Sequence, residues 1–222
     1  MMKILFIGNS ATYVNDIPGT LQRLAGELGI ELEVGRMLKG GYELARHADT
    51  ATEHGRAVMA EIERGYDIVF LQDNGNCIES DERRAKSREA FETLANAAKV
   101  TGAKVWCYVR PPYGYEKFGY APLEQCKEFD KFFGELCDEF DASRVYVNRA
   151  FAYAIKNLDF NLWGSDNGHT SPRGAYLAVA VFFASLFKKN ATALGDAGLL
   201  PEDARVLREV ADKIALEGLI PW

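Results

Sequence analysis

The chain has 222 residues, of which 48% are hydrophobic and 26% are charged, and its formal net charge is −6. This composition excludes disordered and fibrous proteins and predicts one globular domain over residues 1–222, long enough to bury a sizeable core. It also argues against a nucleic-acid partner, because the sequence has no dense block of Lys or Arg to face a phosphate backbone.

Short aliphatic or β-branched runs alternate along the chain with longer amphipathic stretches. The runs predict five strands, at Lys3 to Ile7, Glu31 to Met37, Asp67 to Leu71, Ala103 to Val109 and Arg144 to Val147. The stretches predict helices at about Ile17 to Leu28, Ala51 to Arg64, Glu82 to Thr101, Leu123 to Phe140, Pro172 to Phe187 and Pro201 to Leu216. This alternation is typical of an α/β fold with a five-stranded parallel sheet covered by helices on both faces.

One long apolar stretch runs from Gly174 to Phe187. At fourteen residues it is too short to span a bilayer, and Lys188 and Lys189 follow it, so we predict a buried helix and no membrane span. The chain enters its first strand at Lys3 without the charged and apolar regions of a secretory signal, so the expected location is cytoplasmic.

No metal site is indicated by the cysteines or histidines. The cysteines lack the spacing of a zinc or thioredoxin-like site and are expected to be reduced, packed thiols: Cys77, Cys107, Cys126 and Cys137. His47 and His54 lie seven residues apart, but no third ligand stands at a recognised spacing. We therefore expect both imidazoles at the surface or at the rim of the ligand crevice.

Four chain segments are predicted at the carboxyl edge of the sheet, where open α/β sheets bind ligands. They are Ser10 after the first strand, Gly40-Gly41 after the second, Gln72-Asp73-Asn74 after the third and Arg110-Pro111-Pro112 after the fourth. A fifth segment, carrying Asp166 and His169, lies between the last predicted strand and the helix at Pro172, and it can return to the same edge.

Ser10, His169 and Asp166 are the parts of an activated serine. A hydroxyl becomes a good nucleophile when an imidazole takes its proton and a carboxylate holds that imidazole in the correct tautomer. The spacing of three residues lets Asp166 reach Nδ1 of His169 while Nε2 faces Ser10. Candidate donors to an oxyanion are the backbone N–H groups of Ser10 and Gly41 and the side-chain amide of Asn74.

Four sequence blocks resemble those of SGNH (GDSL-type) hydrolases, namely Gly8-Asn9-Ser10, Gly41, Leu71-Gln72-Asp73-Asn74 and Asp166-Asn167-Gly168-His169-Thr170-Ser171. The resemblance spans nearly the whole chain and implies an esterase or lipase with a flavodoxin-like three-layer α/β/α sandwich. It implies Ser10 as nucleophile, His169 as base, Asp166 as its partner, and Gly41 and Asn74 as oxyanion donors.

The third block departs from the family pattern Gly-x-Asn-Asp, since this chain has Gln72-Asp73-Asn74-Gly75. Asn76 therefore stays an alternative to Asn74 as the amide donor. The order of the residues, with the serine first and no Gly-x-Ser-x-Gly elbow, argues against an α/β-hydrolase.

Candidate substrate contacts are Tyr42, Arg110, Tyr113 and Trp163, which fall in or near the predicted crevice, as do Tyr13 and Tyr115. Aromatic rims suit sugars or acyl chains, although aromatic side chains at the base of loops commonly serve packing. Arg110 either binds a substrate carboxylate or phosphate or pairs with a local acid, which is slightly favoured. We expect a small-molecule ester with a short acyl group on a sugar or metabolite, for example an acetylated carbohydrate, and no cofactor.

Two other functions stay open. Ser10 can instead cap the helix that follows it, and the loop N–H groups around Gly8 and Ser10 can hold a phosphate, as in a non-catalytic flavodoxin-like binding module. The absence of Gly-x-Gly-x-x-Gly and P-loop patterns argues against nucleotide binding. Because the third sequence block is irregular, a protein of this fold that lacks catalytic activity also stays open.

Overall fold

A computed structural model describes residues 1–222. Its strands are β1 (Met2–Gly8), β2 (Leu32–Leu38), β3 (Ile68–Leu71), β4 (Lys104–Val109) and β5 (Ser143–Tyr146). Its α-helices are α1 (Ser10–Tyr13), α2 (Ile17–Glu27), α3 (Leu44–Ala48), α4 (Glu53–Glu63), α5 (Asp81–Val100), α6 (Pro122–Glu139), α7 (Val147–Asn157), α8 (Pro172–Phe187) and α9 (Pro201–Ala215). Short 3₁₀ turns lie at Gly75–Ile78 and Ala191–Ala193.

The five strands form one parallel sheet in the order β2-β1-β3-β4-β5, which confirms the predicted α/β fold. Phe6 of β1 is in register with Arg36 of β2 on one side and with Phe70 of β3 on the other. The direction of winding reverses at β1, so the loops after β1 and β3 lie on either side of a topological switch point. Ligand crevices of open α/β sheets lie at such a point.

Each strand divides its side chains between two cores because successive residues point to opposite faces. Ile4 and Phe6 face the layer of α2, α7, α8 and α9, whereas Leu5 and Ile7 face the layer of α3 to α6. Phe182 of α8 packs edge-on against Phe6, with ring centroids 5.5 Å apart. The sheet is therefore buried on both faces. Polar side chains that could bind a ligand lie beyond the ends of its strands.

Helix α8 is buried almost all round, from Gly174 to Ser185, as predicted for the apolar stretch. Ser171 caps it by accepting a hydrogen bond from the Gly174 backbone N–H, and Pro172 is its first residue. A Cβ at position 174 would clash with the Leu162 carbonyl, so the close approach of helix and loop requires glycine. No helix in the structure is both long and apolar enough to cross a membrane.

Helix α7 is absent from the prediction, which assigned no helix between the last strand and Pro172. It starts at Val147 directly after β5, and Tyr146 gives it no side-chain cap, so the sequence has no turn or cap signal there. Helical spacing does relate the buried residues Val147, Ala150, Phe151 and Ala154. This periodicity is the sequence signal from which α7 could have been predicted. The loop to α8 accordingly starts after α7, at residue 158.

All four cysteines are free and buried, in agreement with the expected packed thiols.

Candidate active site

Ser10 is the first residue of α1, directly beyond the carboxyl end of β1. The side chain of Asn9 caps this helix by accepting a hydrogen bond from the Ala11 backbone N–H at 3.0 Å. The Ser10 hydroxyl is therefore not the cap, and its Oγ lies 2.8 Å from Nε2 of His169. Because a first-turn N–H has no partner within its own helix, the backbone N–H of Ser10 is free to bind a ligand.

His169 and Asp166 lie on one tight turn. One oxygen of Asp166 accepts hydrogen bonds from the backbone N–H groups of Gly168 at 2.9 Å and of His169 at 3.0 Å. Its other oxygen lies 2.6 Å from Nδ1 of the His169 ring. The bond to the imidazole, reinforced by the two backbone bonds, lowers the pKa of Asp166 to about 2. The carboxylate is thus ionised and fixes the orientation of the ring.

This turn is attached to the rest of the crevice at three points. The Asn15 side-chain amide donates to the Thr170 carbonyl at 2.6 Å, and the Gly114 backbone N–H donates to the Asn167 carbonyl at 2.7 Å. The Trp163 indole donates to the Pro112 carbonyl at 3.0 Å. These bonds connect the turn to the segments that follow α1 and β4, so the imidazole has a defined position relative to Ser10.

A cavity of about 380 Å³ opens in front of Ser10. It is lined by Asn9, Ser10, Ala11, Gly41, Asn74, Arg110, Tyr113, Tyr115, Asp166, Gly168 and His169. The backbone N–H of Gly41, whose φ of 71° favours glycine, has no protein acceptor. The structure thereby brings together Ser10, Gly41, Asn74, Asp166 and His169, which the sequence places on four different segments.

Asn74 and Asn76 have different environments. Oδ1 of Asn74 accepts from the Asn76 backbone N–H at 3.1 Å and from the Tyr113 hydroxyl at 3.4 Å, so its Nδ2 is left without a protein acceptor. The Asn76 side chain instead accepts from Nζ of Lys117 at 3.2 Å and does not line the cavity. Asn74 is therefore the side-chain amide available to a ligand beside Ser10.

Gln72 is a structural residue of the site whose role was not predicted. Its Oε1 accepts from the Asn9 backbone N–H at 3.0 Å and from the Thr12 hydroxyl at 2.9 Å. A Cβ on Gly8 would lie only 2.7 Å from that same oxygen, so glycine is needed for this contact. Gln72 thus joins the loop after β3 to the segment that carries Ser10.

Asp73 is a second buried support of the site. It accepts hydrogen bonds from the Leu44 backbone N–H at 2.8 Å and the Asn74 backbone N–H at 2.6 Å, and from the Ser87 hydroxyl. Burial raises the pKa of Asp73, while these three hydrogen bonds oppose the shift. Its position fixes the backbone of Asn74. A lone polar residue after a strand gives no sequence signal for such a role.

The predicted substrate contacts separate into two groups. Arg110 and Tyr113 line the cavity, and so does Tyr115, whereas Tyr42 and Trp163 do not. The Tyr42 ring packs against the imidazoles of His47 and His54, and Trp163 packs against Phe151. The positions of Tyr42 and Trp163 therefore give them packing roles.

Arg110 does not have the local acid partner that the sequence led us to expect. No carboxylate oxygen lies within 4 Å of its guanidinium. It donates instead to the Pro111 carbonyl and to the Tyr113 hydroxyl. The expected ion pair is thus wrong.

His47 and His54 form a pair beside Tyr42, with Nδ1 of His47 lying 3.0 Å from Nε2 of His54. His47 is completely buried, so its expected place at the surface or rim is wrong. Burial, followed by repulsion from His54, lowers the pKa of His47 to about 4. No group of three His, Cys, Asp or Glu side chains is arranged to hold a metal ion.

We expect the protein to lose stability as the pH falls from 6.5 to about 4, because the unfolded chain then binds a proton that folded His47 does not. The contribution is complete above pH 6.5 and amounts to about 3 kcal/mol at most. Urea unfolding at several pH values measures it. The free energy of unfolding of H47Q should decrease less over this pH range than that of the wild type. An equal decrease in both proteins would show that His47 is not its source.

No family model matches the chain, and no curated protein sequence matches it. Among solved structures, a protein from Slackia heliotrinireducens described as a candidate SGNH hydrolase is 26% identical with a TM-score of 0.69, over 82% of this chain and 96% of that one. A DUF4886 family protein from Bacteroides uniformis is 16% identical with a TM-score of 0.82, over 99% of this chain and 96% of that one.

The acetylxylan esterase Axe2 from Geobacillus stearothermophilus is 16% identical with a TM-score of 0.63, over 82% of this chain and 92% of that one. All three likenesses confirm the predicted fold. The likeness to the Slackia heliotrinireducens protein confirms the predicted resemblance to the SGNH hydrolases.

Proposed function

We propose that this chain, an SGNH-type hydrolase acting on ester bonds, is a serine esterase that removes a short acyl group by double displacement. One observation carries the proposal, the unbroken hydrogen-bonded series from Asp166 through His169 to Ser10. Its two links measure 2.6 Å and 2.8 Å. Both lie within the range for a base that reaches its nucleophile and is itself held by a third group.

In the first half of the proposed reaction, His169 takes the proton of Ser10. Nδ1–H of the imidazole donates to Asp166, so the lone pair of Nε2 accepts that proton as Oγ attacks the acyl carbon. The oxyanion that forms is stabilised by the N–H groups of Ser10 and Gly41 and by Nδ2 of Asn74.

The intermediate then collapses, and Nε2–H of His169 delivers its proton to the leaving alcohol. In the second half, His169 deprotonates a water molecule that attacks the acyl-enzyme, and the acid leaves as Ser10 regains its proton. Because the pKa of Asp166 is about 2, its carboxylate stays charged and stabilises the imidazolium in both halves.

The size and lining of the cavity support a small substrate. Its volume of about 380 Å³ is at the low end for ligand sites, and its aromatic wall consists of Tyr113 and Tyr115. A long acyl chain would need a wall of large aliphatic side chains, and no Leu, Ile, Val or Met lines this cavity. An acetyl or similarly short acyl group on a sugar or metabolite is the substrate class that we propose.

Covalent labelling by a fluorophosphonate tests the proposal. We expect a single adduct by intact mass, which peptide mapping locates on Ser10, together with hydrolysis of p-nitrophenyl acetate. Protein unfolded in urea is the control, since its serines have no base and should stay unlabelled. A folded protein that forms no adduct would contradict the proposal and favour a binding module.

Replacement of Asn74 by alanine is expected to lower kcat by roughly 10²- to 10³-fold, the usual cost of removing one oxyanion donor. Asn76 is the matched control because it bonds Lys117 and does not line the cavity. We expect N76A to keep most of the activity. Steady-state kinetics on p-nitrophenyl acetate compares the two variants, and the reverse order would assign the role to Asn76.

A further inference from the structure

We infer that the substrate carries a carboxylate, which binds in the cavity at Arg110 with Lys117 close by. This inference deepens the proposed function and rests on it, since the carboxylate belongs to the ester that Ser10 attacks.

Arg110 is an almost fully buried cation without a counter-charge. Its side chain lines the cavity, yet the residue is only 3% exposed. Nε donates to the Pro111 carbonyl at 2.9 Å and Nη1 to the Tyr113 hydroxyl at 3.1 Å, and Nη2 has no protein acceptor. Because a buried charge is costly unless it is paired, a guanidinium in this state is suited to an anionic ligand.

Other arginines with little exposure have an acid partner. The side chains of Arg149 and Arg208 are 14% and 12% exposed, and each forms an ion pair at 2.7 Å, with Asp130 and Asp196 respectively. Arg110 is more deeply buried than either, and its partners are two neutral oxygens and the rings of Tyr113 and Phe129, none of which carries a negative charge. The difference indicates that its counter-charge comes from outside the chain.

A second cation without an acid partner lies beside the ring of Tyr113, which lines the cavity, although Lys117 itself does not line it. Nζ of Lys117 is 3.8 Å from the centroid of the Tyr113 ring, and the Arg110 guanidinium is 4.3 Å from it. Lys117 donates to the side chain of Asn76 and has no carboxylate partner. Burial raises the pKa of Tyr113, but Arg110 and Lys117 outweigh this, and the net shift is downward. The two cations thus make this wall electropositive.

The acid that lines the cavity does not neutralise this wall. Asp166 is bonded to His169 and to backbone N–H groups of its own turn. A planar guanidinium binds a carboxylate through two parallel hydrogen bonds, which also fixes the orientation of the ligand. The free donors of Arg110 are suited to this geometry, and the ester would then be oriented relative to Ser10.

A pair of matched aryl acetates tests the inference, 4-acetoxybenzoate and its methyl ester, which differ in the charge of one group. We expect wild-type kcat/KM to be at least tenfold higher for the carboxylate, with the difference mainly in KM. R110Q should lose this preference, and K117M should reduce it. K39M is the control because Lys39 lies over the ring of Tyr42, which does not line the cavity, whereas Lys117 lies over Tyr113, which does; K39M should retain the preference.

The wild-type protein provides a second measurement that does not depend on the folding of a variant. Benzoate should inhibit hydrolysis of the methyl ester competitively, and benzamide should not. The inference would be overturned if the wild type had equal kcat/KM for the two esters, or if R110Q lost the same fraction of kcat/KM on both. Arg110 would then serve to position Tyr113 and Asn74. Fluorophosphonate labelling of the same samples separates the two proposals. If Ser10 is still labelled but the two esters react equally fast, the carboxylate inference is rejected and the proposed serine esterase stands.

Discussion

Replacement of Ser10 by alanine is expected to lower kcat for ester hydrolysis by roughly 10⁴- to 10⁶-fold. The Ser10 hydroxyl is hydrogen-bonded to the imidazole of His169, and the variant retains the base and the oxyanion donors but has no atom to form the acyl-enzyme. Only slow attack by water would remain. Steady-state kinetics on p-nitrophenyl acetate, with loss of the fluorophosphonate adduct, measures the effect.

The matched control is S80A, which removes a serine that caps α5 away from the cavity. Its loss of the cap is expected to cost about 1 kcal/mol of stability, and its activity should stay close to wild type. If S10A retained a tenth of the wild-type rate with a native thermal transition, the nucleophile would have to be another residue.

Replacement of Asp166 by asparagine is expected to lower kcat about 10⁴-fold, because the amide favours the wrong tautomer of the imidazole. In the wild type, one carboxylate oxygen accepts from Nδ1 of His169 and thereby leaves a lone pair on Nε2. An asparagine can still accept the turn hydrogen bonds from Gly168 and His169, so the loop should keep its shape. The loss should therefore appear in kcat.

The expected loss can be separated from unfolding because the Asp166 side chain is 55% exposed, which makes its share of the stability small. Urea unfolding of D166N should resemble that of the wild type. D159N, an exposed change earlier on the same loop, should be fully active. If D166N kept the wild-type kcat, the Asp166 carboxylate would have no part in the mechanism, despite its short distance to the His169 ring.

The sheet could be predicted from the sequence because its strands are short aliphatic runs buried on both faces, such as Ile4 to Ile7. Helix α8 could be predicted from its cap at Ser171 and its uniform apolar character. Helix α7 was missed because β5 runs into it without a break, so that the usual boundary signals are absent. Local sequence therefore predicts elements best where a cap or a turn marks their ends.

In the candidate site, the turn from Asp166 to His169 could be predicted since three residues suffice to bring the two side chains together. The positions of Tyr42 and Trp163 could not, because the direction of a loop side chain depends on neighbours that are distant in sequence. The partners of Arg110 could not be predicted either, because only the packing around its guanidinium shows that no carboxylate lies beside it. His47 was misplaced because its burial depends on the packing of its own helix, α3, against α4, α5 and β1.

The link between Ser10 and His169 joins residues 159 positions apart. At a synthesis rate of roughly 5 to 20 residues per second, the two leave the ribosome about 10 to 30 s apart. The nascent chain would carry its serine throughout this interval as an ordinary hydroxyl, without the imidazole. Reactivity of the proposed nucleophile would therefore arise only when the turn before α8 docks at the end of β1, so Ser10 would stay inert toward esters until the fold is nearly complete.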